Sequence, residues 1–183
     1  MCGFYITFDK NGICEKDLTE RGQMLRHRGP DEQNIWVSDC RRIGVYHARL
    51  SIVSVSVGVQ PFVSSDGQTV IIFNGEIYNY KALIGELRGS NDCWSSIPCS
   101  EVELIYRYWQ LFGDELSNRL VGMFSLVILQ FPVGGGIPHI FFCVDRAGEK
   151  PMFYRIEAAC RFEISSEIKA LVHGRGMKLH PLA

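Results

Sequence analysis

The sequence predicts a layered α+β domain in which helices cover the outer faces of antiparallel sheets. Strand-like and helix-like segments come in blocks rather than in a regular β-α-β alternation. Two long strand-like segments, 43–53 and 122–131, are apolar at consecutive positions, as expected where both faces are covered. At 183 residues, with 46% hydrophobic and 21% charged residues, the chain is long enough for one domain with a sizeable core.

Each element has its own local signal. Six segments have the β-branched and aromatic composition of strands, namely 3–8, 43–53, 69–75, 122–131, 139–145 and 161–165. Four segments have the apolar spacing of helices, namely 15–27, 80–88, 100–112 and 166–172. The glycine-rich segment 132–138 lies between two predicted strands and lacks the Lys of a phosphate loop, so we predict a hairpin turn there. Residues 89–99 are predicted to form a surface loop.

The net charge and the cysteine spacing of the sequence disfavour several classes of partner and site. The formal net charge is -1 and the basic residues are scattered, which disfavours nucleic acid and anionic membranes as partners. The N-terminus lacks the features of a signal peptide, and the longest apolar stretch is far short of the roughly 20 residues that span a bilayer, so we predict a cytoplasmic protein. Seven cysteines without CxxC spacing argue against zinc and against a disulfide framework.

Cys2 becomes the first residue if Met1 is removed. Its α-amine would then have a pKa near ~7.7 to 8.0 and could accept the thiol proton, directly or through a water. The alternative, which the first three residues alone favour, is that Cys2 is an ordinary small apolar residue of the core.

Three further stretches combine polar groups with apolar surroundings. Asn74-Gly75 has the composition of an oxyanion hole, although Asn-Gly is also the strongest local signal of a type I′ hairpin turn. Arg49 stands in an otherwise apolar strand and must find an anion, either a structural carboxylate or that of a substrate. The segment 28–31, Arg-Gly-Pro-Asp, ends a predicted helix and by itself indicates a turn.

Taken together, these motifs resemble the class II glutamine amidotransferases. In chain order they are Cys2-Gly3, 26–31 (RHRGPD), 49–53 with Gln60-Pro61, 74–80 (NGEIYNY), 122–124, 145–151 (DRAGEKP) and 166–171 (SEIKAL). They are most similar to the glutaminase domain of glutamine-dependent asparagine synthetases. The resemblance implies the N-terminal nucleophile hydrolase fold, a four-layer αββα sandwich of two stacked antiparallel sheets.

The resemblance also implies a mechanism and a set of site residues. Cys2 would attack the side-chain amide of L-glutamine to form a thioester, with its own α-amine as base, and water would then release glutamate. Asn74 and Gly75 would form the oxyanion hole. The other implied substrate-binding residues are Arg49 for the α-carboxylate, Glu101 for the α-ammonium, and Leu50, Val53 and Glu76 lining the site. Glu101 stands where the family has Asp, which keeps the charge and changes the reach.

Domain organisation and partners follow from the same resemblance. Residues 2–172 would be the glutaminase domain, and 173–183 a tail or the start of a linker to a synthetase domain that these residues do not include. No metal or organic cofactor is implied for glutamine hydrolysis, whereas ATP and magnesium would serve the synthetase domain or subunit that receives the ammonia. A homodimer is left open. The alternatives are a non-catalytic binding or regulatory module with the same fold, and a related hydrolase of another amide.

Overall fold

Two antiparallel sheets form the centre of the structure, a computed structural model that describes residues 1–50, 58–89, 98, 100–157 and 160–174. The strands are β1 (Gly3–Asp9), β2 (Glu32–Val37), β3 (Ile43–Arg49), β4 (Phe62–Val63), β5 (Thr69–Ile77), β6 (Gly122–Gln130), β7 (His139–Val144), β8 (Phe153–Glu157) and β9 (Arg161–Ser165). One sheet has five strands in the order β2-β3-β1-β9-β8, and the other has four in the order β4-β5-β6-β7. Every strand pair is antiparallel.

Helices cover the outer faces of both sheets. They are α1 (Glu15–Gln23), α2 (Tyr80–Gly89), α3 (Glu101–Phe112) and α4 (Ile168–Val172), with short 3-10 helices at Arg26–Arg28 and Gly113–Asn118. Side chains of α2 and α3 share a core with β5 and β6, while those of α1 and α4 share one with β1 and β3. A third core lies between the sheets. The predicted four-layer αββα sandwich is therefore confirmed.

Strand alternation decides which side chains enter the space between the sheets. Successive residues of a strand point to opposite faces, so residues two apart share a face. Phe4, Val45, Ile72 and Val127 belong to the core between the sheets. By the same period of two, His47, Asn74 and Ser125 lie on these inner faces, and Cys2, which precedes β1, continues the inner face of that strand. The sandwich thus gathers polar groups at one end of an apolar interior.

Several boundaries differ from those predicted. The helix predicted over 15–27 ends at Gln23, and the chain then forms the 3-10 turn at Arg26–Arg28. A side chain at Gly29 would lie 2.2 Å from the Ala48 backbone, so the chain passes too close to β3 for a longer helix to continue there. The strands β2, β4 and β8 were not predicted, because β2 begins with three consecutive polar residues, β4 has two residues and β8 is largely exposed.

Two turn predictions have opposite outcomes. β6 and β7 are antiparallel neighbours on either side of 132–138, so the hairpin predicted there is confirmed. The hairpin alternative for Asn74-Gly75 is wrong, since β5 continues through both residues to Ile77 and pairs with β6 along its length. Some predictions fall outside the described residues, namely those for 51–53, 90–97, 99 and 175–183. No helix in the described part is long and apolar enough to cross a membrane.

Candidate active site

Cys2 lies where β1 begins, beside the end of β3. Gly3 pairs with Ala48 across the two strands, which places Cys2 next to Arg49 and Leu50. The Cys2 Sγ is 3.9 Å from the Leu50 carbonyl oxygen, and the thiol is a free one of intermediate exposure. A nucleophile at this position is accessible from the end of the sandwich while its side chain lies on the inner face.

Arg28 holds the backbone of Cys2, a role that the sequence did not reveal. Its Nε donates to the Cys2 carbonyl at 3.0 Å, and its Nη1 donates to Glu167 Oε1 at 3.0 Å. His27 and Lys169 also bond to Glu167. Burial alone would raise the pKa of Glu167, but the bonds from Lys169, Arg28 and His27 lower it to about 2. Two separate motifs, around residues 28 and 167, thus brace the nucleophile.

Asn74 is buried with an unused hydrogen-bond donor. Its side chain is 2% exposed, and its Nδ2 has no hydrogen-bond partner among the described residues. The residue opposite on β6, Ser125, is fully buried and its Oγ also lacks a partner in that part of the chain. Buried donors are rarely left unsatisfied, and the exceptions often occur at functional sites. Burial and the lack of a partner in the described part of the chain suit Asn74 Nδ2 as a hydrogen-bond donor to a substrate oxygen.

Gly75 is the residue predicted to supply the second donor of the oxyanion hole. Along a β-strand, every second backbone N–H points to the same side of the strand within the plane of the sheet. The N–H groups of Phe73 and Ile77 point away from β6, because they donate to Gln60 Oε1 and Glu101 Oε1 at 2.6 Å each. The Gly75 N–H lies between them on this edge. A Cβ at Gly75 would lie 2.1 Å from the Met123 carbonyl oxygen, so only glycine fits.

Arg49 is buried and ion-paired within the five-stranded sheet. Its Nη1 donates to Glu32 Oε2 at 3.0 Å, and the two residues are opposite each other on β3 and β2. Bonds from Asn34 and Arg49 lower the pKa of Glu32. The sequence left open whether Arg49 pairs with a structural carboxylate or with that of a substrate, and the structural carboxylate is present as Glu32. A guanidinium carries five N–H groups and can bind a second carboxylate while Glu32 holds Nη1, so the substrate role of Arg49 stays a prediction.

Glu101 reaches the same edge of β5 from the start of α3. Ser100 caps this helix by accepting from the Glu103 N–H at 3.3 Å, which fixes Glu101 in the first turn. Burial raises the pKa of Glu101, and the charge of Glu76 raises it further. The structure therefore places Glu101 two residues along the strand edge from Gly75, while the predicted Val53 lies outside the described residues.

His47 is a buried polar residue that the sequence did not assign to the site. It lies one strand position before Ala48, between the sheets, and is fully buried with neither ring nitrogen hydrogen-bonded within the described ranges. Burial lowers the pKa of His47 to about 4, although the nearby backbone of Phe73 pulls in the opposite direction. The imidazole is therefore neutral at pH 7 and extends the polar end of the interior.

This shift predicts a pH-dependent stability. Unfolded His47 has a pKa near ~6.5, so below that pH the unfolded chain binds a proton that the folded chain excludes. The contribution of neutral His47 to the free energy of unfolding is present above pH ~6.5 and is lost as the pH falls towards 4. We expect urea unfolding to show that the parent loses on the order of 2 kcal/mol more than His47→Phe between pH 7 and 4.5. His139→Gln, which alters an exposed histidine, should keep the slope of the parent; equal slopes in all three proteins would contradict the assignment.

Comparison with known proteins agrees with this geometry. The model of the family described as glutamine amidotransferase domain matches residues 1–181. The chain belongs to this family. Among its relatives, asparagine synthetase B [glutamine-hydrolyzing] of Escherichia coli is 33% identical over 180 residues, which are 94% of this chain and 30% of that protein. A probable glutamine-hydrolysing asparagine synthetase of Schizosaccharomyces pombe is 40% identical over 134 residues, 70% of this chain and 23% of that one.

A solved structure has the same fold as this glutamine amidotransferase domain. The glutamine phosphoribosylpyrophosphate amidotransferase of Bacillus subtilis, complexed with ADP and GMP, superposes with a TM-score of 0.71 at 16% identity. The superposition covers 93% of this chain and 43% of that chain. At this identity the likeness concerns the fold, and it matches the predicted α+β architecture. The chain spans about a third or less of the curated relatives named above.

Proposed function

We propose that this glutamine amidotransferase domain hydrolyses L-glutamine to glutamate and ammonia through Cys2. The observation that carries the proposal is the buried Asn74 Nδ2 on the inner face of β5, which has no hydrogen-bond partner among the described residues. The next residue is Gly75, a position that has no room for a Cβ. Together with Cys2 these groups supply a nucleophile and oxyanion donors, which acyl transfer from an amide requires.

The proposed reaction proceeds in two steps. The Cys2 Sγ attacks the side-chain carbonyl carbon of glutamine, and the thiol proton passes to the Cys2 α-amine, which Met1 removal exposes. Asn74 Nδ2 and the Gly75 N–H donate to the oxyanion. The C–N bond then breaks, the amine returns the proton to the leaving nitrogen as ammonia, and water cleaves the thioester to glutamate and the free thiol. The proposed half-reaction uses no metal or organic cofactor.

Substrate recognition is proposed to use opposite charges at the two sides of the site. Arg49 would bind the α-carboxylate and Glu101 the α-ammonium, since Arg49 is buried, Glu101 is half-buried, and their charges match an amino-acid zwitterion. The Leu50 carbonyl beside Cys2 and Glu76 on β5 would line the site, and the predicted Val53 would join them. A non-catalytic module is favoured less, because nucleophile, oxyanion donors and both charged groups are all present.

We further propose that the ammonia serves a synthetase domain or subunit. The relatives named above are glutamine-hydrolysing asparagine synthetases, and this chain matches only a part of them. The partner would activate an acceptor carboxylate, aspartate or another, with ATP and magnesium. Residues 173–183 would lead towards it, and the pair would work in the cytoplasm.

A turnover assay tests the proposed hydrolysis. Intact mass should show that purified protein begins at Cys2, and glutamate and ammonia should appear in equal amounts from L-glutamine. D-glutamine and L-asparagine should be poor substrates, because they misplace either the zwitterion or the amide. Protein that lacks Met1 yet releases no glutamate would overturn the proposal, and equal rates on unrelated amides would favour a different hydrolase.

Glu101 gives a specific prediction about substrate affinity. Glu101→Gln keeps an acceptor for the Ile77 N–H and removes the charge, so we expect KM for glutamine to rise about 10- to 100-fold, as for a lost charge-assisted contact. Glu101→Asp keeps the charge and shortens the reach to Ile77, so KM should also rise. Steady-state kinetics of the three proteins check this. An unchanged KM in Glu101→Gln would show that the ammonium binds elsewhere.

A further inference from the structure

A chain of hydrogen bonds begins at Arg49 and runs along β2. Glu32 accepts from Arg49 Nη1 with Oε2 at 3.0 Å and from Asn34 Nδ2 with Oε1 at 3.0 Å. The same Asn34 Nδ2 donates to the Gln60 carbonyl oxygen at 2.9 Å. Both hydrogens of this amide are therefore used, one towards the arginine and one towards Gln60.

The chain continues through the side chain of Gln60 to β5. Gln60 is 7% exposed, and its Oε1 accepts from the Phe73 N–H at 2.6 Å. β4 pairs with β5 only opposite Val70 and Ile71, so in the described structure no strand provides an acceptor for Phe73. The side chain of Gln60 takes the place of a neighbouring strand as the acceptor for the Phe73 N–H. Its contact lies one residue before Asn74.

Arg49 stands at one end of this chain, and the other end, Phe73, is the residue before Asn74. Arg49 and Asn74 are the two groups proposed to hold one substrate molecule. Arg49 would bind the α-carboxylate of glutamine, and Asn74 would bind the oxygen of its side-chain amide. The distance between these groups sets where the amide carbon lies relative to the Cys2 thiol. Small displacements of positioned groups reduce the rate of the chemical step strongly.

We propose that Gln60 is a positioning residue that fixes the oxyanion hole at a set distance from Arg49, through Asn34 and Glu32. The inference rests on the proposed glutamine hydrolysis and assigns Gln60 no contact with substrate. Gln60 acts on the backbone of β5 at Phe73, and the effect reaches the substrate through Asn74. Loss of the contact should therefore lower kcat and change KM little.

The test variant is Gln60→Met, with Gln130→Met as its matched control. Methionine keeps the length and apolar stem of glutamine and lacks a good acceptor for the Phe73 N–H. Gln130 Oε1 accepts from Thr69 Oγ1 and Trp109 Nε1 at 2.9 Å each, so it is a hydrogen-bonded glutamine at the end of β6, opposite Thr69 at the start of β5. The control thus removes comparable bonds far from Asn74.

We expect kcat of Gln60→Met to fall about 10- to 100-fold with KM within about threefold of the parent, and Gln130→Met to match the parent. L-glutamate semialdehyde provides a second measurement. Its aldehyde carbon forms a bond to the Cys2 sulfur while the thiol proton goes to the oxygen, giving a tetrahedral adduct that needs the oxyanion hole. Its affinity should fall in parallel with kcat in Gln60→Met, whereas the affinity for L-glutamate should not.

Backbone hydrogen exchange separates this inference from the proposed function. Exchange at the Phe73 amide should be faster in Gln60→Met and unchanged in Gln130→Met, whether or not the protein turns over glutamine. A parent without glutaminase activity would overturn the proposed function, with the exchange result still deciding whether Gln60 holds β5. Unchanged Phe73 exchange, or an active parent in which both variants have equal kcat, would overturn the role of Gln60.

Discussion

Replacement of Cys2 by Ala is expected to abolish glutamine hydrolysis, with kcat reduced at least ~10⁴-fold. No other group in the proposed site can form the thioester. The fold should remain intact, because Cys2 precedes β1 and the contact of its Sγ with the Leu50 carbonyl oxygen is long, at 3.9 Å. The measurements are glutamate release and the thermal unfolding midpoint. A variant that folds and still releases glutamate at the parent's rate would refute the mechanism.

Selective labelling provides the control for this result. A glutamine-like diazoketone should modify Cys2, whose site fits the amino-acid part of the reagent. Cys40 is exposed, and its bond to Ser38 lowers the pKa of its thiol, so among the cysteines that the structure describes it is the strongest competitor for a general alkylating agent. Burial raises the pKa of the Cys143 thiol to about 12, which makes it unreactive. Diazoketone labelling of Cys40 in preference to Cys2 would count against the assigned nucleophile.

Replacement of Asn74 by Ala should lower kcat roughly 100- to 1000-fold, the usual effect of losing one oxyanion donor. The substrate KM should change much less, because the donor bonds most strongly when charge develops on the oxygen. The folded state should survive, since Nδ2 has no hydrogen bond in the described structure for alanine to break. Steady-state kinetics and unfolding curves of the variant test both parts.

Asn79 offers a matched control on the same segment. Its side chain donates to the Arg119 carbonyl and accepts from the Val121 N–H, so Asn79→Ala removes structural bonds just beyond β5. We expect that variant to lose stability and to retain kcat, the reverse of Asn74→Ala. If Asn74→Ala instead unfolds with normal turnover per folded molecule, its amide serves the fold and not the reaction.

The sequence alone was sufficient for the family, the layered α+β class and most of the regular elements. Apolar periodicity is a local property, and the strands 161–165 and 122–130 and the helix 101–112 lie where it predicted them, within one residue. Motif order supplied Cys2 and Asn74 because the residue type itself carries the chemistry. The family match over 1–181 confirms the family that the motif order predicted, and the roles of Cys2 and Asn74 stay predictions.

Only the tertiary structure decided how the site is held. Asn74-Gly75 has the local signal of a turn, yet β6 pairs with both residues and keeps them in a strand. Arg28 bonds to the Cys2 carbonyl 26 positions away, and Gln60 supports the strand that carries Asn74 from 13 positions away. Such contacts between a side chain and a distant backbone leave no periodic pattern in the sequence. They form because stacking two sheets brings strand ends together, and that arrangement is a property of the whole packed chain.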